Sequence, residues 1–275
     1  MANNNDIQEC VIASNQIRKD IIDMTFSLGN LGAHLGGSLS MVEMLAVLYK
    51  KIVKYKVDDP LYEERDRVIL SKGHAALALY PALVCAGILN REQLSEFKRN
   101  GSKLSGHPSL NGLNGIEFAS GSLGQGLSLA VGVALALKKK ENKSSRVFVF
   151  LGDGECDEGS VWEAAASASH FGLNQIVAIV DNNNIQYDGY TEDVLNMNPA
   201  KQKWIDFGWD VIEVDGHDVS QLLDAYEFHG EKPLAIIANT VKGKGISFME
   251  GNKAYHNSRL TEEQYKKAME ELEVL

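Results

Sequence analysis

The sequence predicts an α/β fold, a three-layer α/β/α domain around a mostly parallel sheet, and two observations carry that expectation. Short apolar runs of strand length recur at residues 67–70, 147–151, 175–180 and 234–238, with a weaker one at 211–214. Helical periodicities lie between the later ones, at residues 158–171, 201–207 and 219–228. Strands that alternate with helices pair in parallel, and near-continuous apolar runs mark strands buried on both faces. A chain of 275 residues, 44% of them apolar, is long enough to bury such a core within one domain over residues 1–275. No internal repeat, low-complexity stretch or linker composition divides it.

The chain opens on a long helix, because Ile7, Val11, Ile17, Ile21, Met24 and Leu28 recur near the helical period. A glycine-rich passage at residues 28–37 ends that helix and holds His34. Ser40, with Glu43 three positions later, has the capping-box pattern and predicts a second helix running towards Tyr55. After a turn near Pro60 the first strand, residues 67–70, runs into Gly73 and His74, where the chain becomes helical again. Polar residues 100–115 surround His107. Residues 121–126, Gly-Ser-Leu-Gly-Gln-Gly, then lead into an alanine- and leucine-rich helix whose closing Lys138, Lys139 and Lys140 suit the helix dipole. The remaining strands and helices alternate, and an amphipathic helix over residues 261–272 comes last.

The totals exclude several functions. Lys and Arg number 27 against 37 Asp and Glu, a net charge of −10, which disfavours a nucleic-acid partner because phosphate neutralisation needs excess cations. Cys10, Cys85 and Cys156 have no metal-ligand spacing, and their odd number points to a reducing compartment, with the cytoplasm as the expected location. Residues 1–6 are polar without a basic cluster, and no apolar run approaches the ~20 residues of a membrane span, so neither a signal peptide nor a membrane association is expected.

The chemistry gathers at strand ends. Gly152-Asp153-Gly154 follows the strand at 147–151 and precedes a helix, which sets an acid at the carboxyl end of a buried strand, where open α/β sheets bind ligands. Gly154 permits close backbone approach, and the helix that follows offers amide donors to a phosphate. Alone, this triplet is equally an acidic turn. The next strand, however, ends in Asp181-Asn-Asn-Asn-Ile185, and neighbouring parallel strands bring the two ends together. Asp153, the amide oxygen of Asn183 and a backbone carbonyl near Ile185 make half of the hard-oxygen cage that Mg²⁺ completes with phosphate oxygens and water. One carboxylate suits an ion that arrives with a diphosphate.

The triplet and Asn183 together resemble the thiamine-diphosphate signature, and the surrounding motifs narrow the resemblance to transketolase. Asp-Arg-Val-Ile-Leu-Ser-Lys-Gly-His at residues 66–74, Ser-Gly-His-Pro at 105–108, the motif at 121–126, Glu158-Gly159 after the triplet, and Lys-Gly-Lys-Gly at 242–245 followed by His256 occur in that family's order. The resemblance runs from about His34 to His256. It implies that Asp153, Asn183 and the carbonyl of Ile185 hold Mg²⁺. It implies too that Gly154, His74, Lys242 and His256 meet the diphosphate and thiazolium of thiamine diphosphate, and that Gly121, Ser122 and Leu123 line its aminopyrimidine. His34, His107 and His256 are then the groups that face the sugar and relay protons, a task suited to a side chain that titrates near neutrality. Glu158 and Glu163 match acids of the family's subunit contact, where they join a hydrogen-bond network between paired active sites, and the resemblance implies that Glu158 is catalytic alongside the three histidines.

Taken singly, a histidine in a glycine-rich loop is an ordinary polar loop residue, and for Lys242 a solvated strand-end lysine is the lesser alternative. Four histidines matching one family's motifs reverse that weighting. His170, His217 and His229 lack an equally strong match and are expected at helix ends or in loops, though the Asp-Gly-His-Asp context of His217 recurs in the family, and Trp162, Trp204 and Trp209 are expected in the core or an interface. The family pattern is broken at Leu35, where proline is usual, and at Asn257, where glycine is common; both sit beside the sugar-facing histidines and bear on substrate preference.

In full-length transketolases the glutamate that engages the pyrimidine ring, and the arginines that grip a sugar phosphate, belong to further domains. The resemblance therefore implies the N-terminal subunit of a split transketolase. A C-terminal subunit would supply the pyrimidine-binding and last domains in an α₂β₂ assembly that moves a two-carbon ketol unit between sugars or sugar phosphates. Two alternatives share part of the logic. One is a subunit of another thiamine enzyme, a 2-oxo acid dehydrogenase α subunit or a deoxyxylulose-phosphate synthase, which lacks the motifs at 105–108 and 121–126 in combination. The other is a non-catalytic nucleotide-binding assembly protein.

Overall fold

The computed structural model of the protein describes residues 3–274. Five strands, β1 (Arg67–Leu70), β2 (Val147–Gly152), β3 (Ile176–Asn182), β4 (Asp210–Asp215) and β5 (Leu234–Asn239), form one sheet in the order β1-β2-β3-β5-β4. Every pairing is parallel, with Val149 opposite Ala178 and Ile179 opposite Ile236. All five expected strands are present, β3 reaching two residues further than its apolar run because Asp181 and Asn182 continue the ladder.

Among the described residues ten α-helices accompany the sheet: α1 (Asn4–Ser27), α2 (Gly36–Leu39), α3 (Val42–Val47), α4 (Ala76–Cys85), α5 (Gly126–Lys139), α6 (Gly159–His170), α7 (Thr191–Val194), α8 (Ala200–Asp206), α9 (Val219–Tyr226) and α10 (Glu262–Glu273). Side chains alternate across the pleat, which splits the core in two. Phe148, Phe150, Val177, Ile179 and Ile236 face a layer built from α1 to α4, α9 and α10. Val149, Leu151, Ala178, Val180 and Ile237 face α5, α6 and α8. Each fully buried aliphatic or phenyl side chain stabilises the fold by about 1.5–3 kcal/mol, so both layers are needed to hold a sheet whose central strands expose neither face.

Two local expectations change in the tertiary setting. Val11, counted on the apolar stripe of α1, is 40% exposed, and Cys10 takes the inward position. Ser40 and Glu43 do not cap a helix: α3 begins at Val42 without a side-chain cap. The Ser40 hydroxyl donates to Asp181 at 2.6 Å, and Glu43 pairs with Arg18 of α1. The buried carboxylate takes the Ser40 hydroxyl as a donor through a charge-assisted bond, whereas a cap would need that oxygen to accept from a backbone N–H. Trp204 and Trp209 are core residues, with ring centroids 4.8 Å apart and the Trp209 indole donating to the Ala165 carbonyl at 2.9 Å. Among the described residues, no helix is long and apolar enough to cross a membrane.

Ile179 lies at the centre of the central strand and is fully buried. Replacing it with alanine is expected to cost about 3 kcal/mol, the usual range for such a deletion in a packed core. Urea titration should show a lower midpoint with an unchanged slope.

Candidate active site

The carboxyl ends of β1, β2, β3 and β5 converge on one cavity of about 430 Å³. Beyond β1 the chain passes Lys72 and His74, beyond β2 Asp153 and Gly154, beyond β3 Asn183 and Ile185, and beyond β5 Lys242, all of which line it. Loops from outside the sheet add His34, His107, Gly121, Leu123 and His256. Ser122 instead borders an adjoining hollow of about 360 Å³, and Glu163 is exposed on α6, away from the cavity wall. Glu158 is exposed at the cavity rim.

Backbone hydrogen bonds set the outer loops in place. Ala33 and Ser258 form an antiparallel bridge, with N–H to carbonyl distances of 2.9 and 3.0 Å, which brings the loop of His34 against the loop of His256. The N–H of Ser120 donates to the Pro108 carbonyl at 3.1 Å and joins the loop of His107 to that of Gly121. The imidazole of His34 consequently stands 5.5 Å, centroid to centroid, from those of His74, His107 and His256. His74 and His256 are 5.6 Å apart.

This crowding fixes their charge. Burial, then the nearby His107, Lys98 and Lys242, pushes His34 down to about 4. Burial followed by Lys242, His34 and Lys72 takes His256 down to about 4 as well. His74 lies well below its ordinary value through burial first and Lys72 second, and His107 is lowered by burial and Lys98. All four are neutral imidazoles at neutral pH, each with one nitrogen to donate and one to accept.

Below them lies an ion pair that the sequence reading missed. Lys72 and Asp181 are each 1% exposed and paired through Nζ and Oδ2. Lys72 also donates to the Gly37 carbonyl at 3.0 Å, while Asp181 accepts from Ser40 and Thr240 and, at 3.0 Å, from the Asn183 amide. Burial alone pushes the Asp181 carboxyl up, but Lys72 and these donors outweigh it and leave it below the ordinary carboxylate range. Glu155, one residue beyond the glycine triplet, was missed too. It is buried, accepts from Ser71 and, at 2.9 and 3.1 Å, from the amides of Gly124 and Gly152, and so ties the motif at 121–126 to the end of β2. Lys72 stood inside the motif at 66–74, where its spacing gave no sign that it would be buried.

The oxygen donors at the ends of β2 and β3 sit together. Asp153 accepts from the amides of Gly154 at 2.8 Å and Asn184 at 2.5 Å. Asn184 adopts a left-handed backbone, φ 61°, which asparagine tolerates and which folds the loop around that carboxylate. Burial, then the charge of Asp181, pushes Asp153 up to about 6. The Asn183 amide oxygen faces the loop backbone, 3.2 Å from the Ile185 N–H. Lys242 is 3% exposed, so it is no solvated strand-end lysine. Its ammonium donates to the Ile185 carbonyl at 2.5 Å and lies 3.2 Å from His256 Nδ1. Burial, then repulsion from Lys72, brings Lys242 down to about 8. One carboxylate, an amide oxygen and a carbonyl form a hard-oxygen set suited to a divalent cation, and two crowded ammonium groups beside it favour a polyanion. Among the described residues there is no group of three His, Cys, Asp or Glu that could hold a metal ion.

Comparison with known proteins gives the same direction. The family model described as "Transketolase, thiamine diphosphate binding domain" matches residues 12–274. A 6-deoxy-6-sulfo-D-fructose transketolase subunit of Clostridium sp. (strain MSTE9) is 43% identical over 264 residues, 94% of each chain. An apulose-4-phosphate transketolase subunit of Phocaeicola vulgatus is 36% identical over 269 residues, 97% of this chain and 94% of that one. The crystal structure of transketolase from Campylobacter jejuni superposes with a TM-score of 0.88 at 32% identity, covering 99% of this chain and 43% of that chain. The present chain thus spans less than half the length of the solved transketolase.

The Lys72–Asp181 pair yields a double-mutant test. Lys72→Met strands a buried carboxylate and is expected to cost about 3–5 kcal/mol in urea unfolding. Adding Asp181→Asn should recover part of that loss, whereas additivity of the two changes within about 0.5 kcal/mol would show that the charges are not coupled.

Proposed function

Because this chain belongs to the transketolase thiamine diphosphate binding domain family, we propose that residues 1–275 form one domain acting as the diphosphate-binding subunit of a two-subunit transketolase. The observation that carries this reading is the convergence of Asp153, Asn183 and Ile185 with Lys242, His74 and His256 on one cavity at the sheet's carboxyl edge. Two relatives whose printed names describe transketolase subunits are covered over 94% of their own lengths, which supports a separate partner chain that completes the site. We take that partner to carry the pyrimidine-binding and last domains, in an α₂β₂ assembly located in the cytoplasm. Leu123, exposed at the cavity edge, Glu158, which precedes α6, and Glu163 of α6 are the residues offered to it.

Asp153, the Asn183 amide oxygen and the Ile185 carbonyl would hold Mg²⁺, and Lys242, His74, His256 and the Gly154 backbone would meet the diphosphate. Gly121, Ser122 and Leu123 would border the aminopyrimidine. When bound, thiamine diphosphate supplies the carbon nucleophile that accepts a two-carbon ketol unit. The protein's contribution is position and proton traffic. His34, His107 and His256, held neutral by their surroundings, can hydrogen-bond sugar hydroxyls in either direction and take or give a proton at a ring nitrogen. Lys242 at present satisfies itself on the Ile185 carbonyl; a cation on that oxygen and a phosphate alongside would replace the contact with a charge-assisted one. For the donor we propose a ketose with an anionic group at the far end, since the named relatives act on a sulfonated ketose and on a ketose phosphate.

Calorimetry with thiamine diphosphate and Mg²⁺ tests the cofactor site. Asp153→Ala removes the sole carboxylate among the proposed ligands and should abolish metal-dependent binding, and equal affinity in that variant would refute the assignment. The purified chain alone should show no ketol transfer, with turnover appearing on addition of the partner subunit. Robust turnover by the isolated chain would sink the two-subunit reading.

A further inference from the structure

Behind the cavity, on the far side of the segment that carries Lys242, three charged or ionisable side chains from distant parts of the chain form a relay. Arg18 of α1 donates through Nη2 to Glu43 of α3, and the other Glu43 oxygen lies 3.1 Å from Nδ1 of His217, in the loop between β4 and α9. Arg18 and Glu43 are buried. The relay ends on backbone at both sides of Lys242. His217 Nε2 accepts the N–H of Val241 at 2.8 Å, and Arg18 Nε donates to the carbonyl of Lys244 at 3.3 Å. An N–H pointing at Nε2 requires an unprotonated nitrogen there, which places the ring proton on Nδ1, donating to Glu43.

Glycines admit this close approach. Gly245 has φ +93°, and a Cβ on it would lie 2.8 Å from Arg18 Nε; a Cβ on Gly36 would lie 2.9 Å from Lys242 Cγ. The Gly243 N–H is held by the Gly36 carbonyl at 3.0 Å. The segment is therefore pinned once before Lys242, at Val241, and twice after it, at Gly243 and Lys244, and two of the three pins belong to the relay. Burial pushes Glu43 up, but the His217 hydrogen bond and the Arg18 charge outweigh it and keep the carboxyl below its ordinary range. An ionised acid at the centre is what both flanking donors need.

We infer that Arg18, Glu43 and His217 are positioning residues that set the backbone on either side of Lys242, and so aim its ammonium into the cavity without touching any ligand themselves. The inference rests on the reading that Lys242 faces a diphosphate. A lysine left in place by its own flexibility would turn towards water, because burial beside Lys72 disfavours its charge; backbone fixed on both sides removes that escape.

The test uses the full chain, with Mg²⁺ and inorganic pyrophosphate as the probe. His217→Phe keeps an aromatic ring and loses both hydrogen bonds, and it should weaken pyrophosphate binding by about tenfold or more, as loss of an indirect support does at metal sites, while His217→Gln, able to accept from Val241, should stay within about threefold of wild type. Asp153→Ala serves as the reference. Loss of binding in Asp153→Ala with none in His217→Phe overturns the inference alone; binding unchanged in both overturns the cofactor reading and the inference with it. A further arm needs no variant affinity. Imidazole nitrogen NMR of the wild type should show His217 as the Nδ1–H tautomer, its resonances identified by their absence in His217→Gln, and an Nε2–H tautomer would overturn the relay even if His217→Phe fails to fold.

Discussion

The site depends on one buried ion pair, Lys72 with Asp181. Removing two charges from water is costly, and the arrangement offsets that cost by satisfying Asp181 from four directions: Lys72 beyond β1, Ser40 beyond α2, Asn183 beyond β3 and Thr240 beyond β5. Those donors come from the segments whose ends frame the cavity. A single carboxylate thus acts as the node on which the carboxyl edge of the sheet is assembled. Its negative charge also reaches Asp153 and raises that group, so the acid nearest the proposed cation is tuned by an acid that never contacts it.

Above this node the charge balance is deliberately incomplete. Lys72 is neutralised by Asp181, but Lys242 finds only a carbonyl and an imidazole. Burial comes first for all four surrounding histidines; Lys242 adds to it at His256, His34 and His74, Lys72 more strongly at His74, and Lys98 at His107, which is why all four are neutral. The pocket is therefore prepared for an anion in one half and for hydroxyl groups in the other. That partition matches a cofactor bearing phosphates set against a polyhydroxylated substrate.

The parts of this arrangement visible in the sequence were those with a local pattern. Apolar runs gave all five strands, since a parallel sheet covered on both faces needs near-continuous hydrophobicity. The glycine triplet and Asn183 were readable because backbone approach and oxygen donors at strand ends leave a fixed spacing. Ser40 and Glu43 misled for the same reason: their spacing is that of a capping box, yet each found a stronger charged partner far away in the chain. Lys72, Asp181 and Glu155 went unweighted because burial of a charge depends on partners from other segments, and no local period records it. His217, read as an ordinary loop residue, joins Glu43 across most of the chain length and belongs to the same class.

The bridge between Ala33 and Ser258 ties together two loops separated by nearly the whole polypeptide. Contacts of such long sequence separation close late, since chain entropy must be surrendered before they return any stabilisation. The sheet, assembled from strands between residues 67 and 239, closes shorter loops, the longest joining Arg67 to Val147. By that ordering the scaffold can form while the histidine cluster is still open. The ladder and the cluster are thus separable: loosening either of these two loops would part His34 from His256 while leaving every strand pair in register.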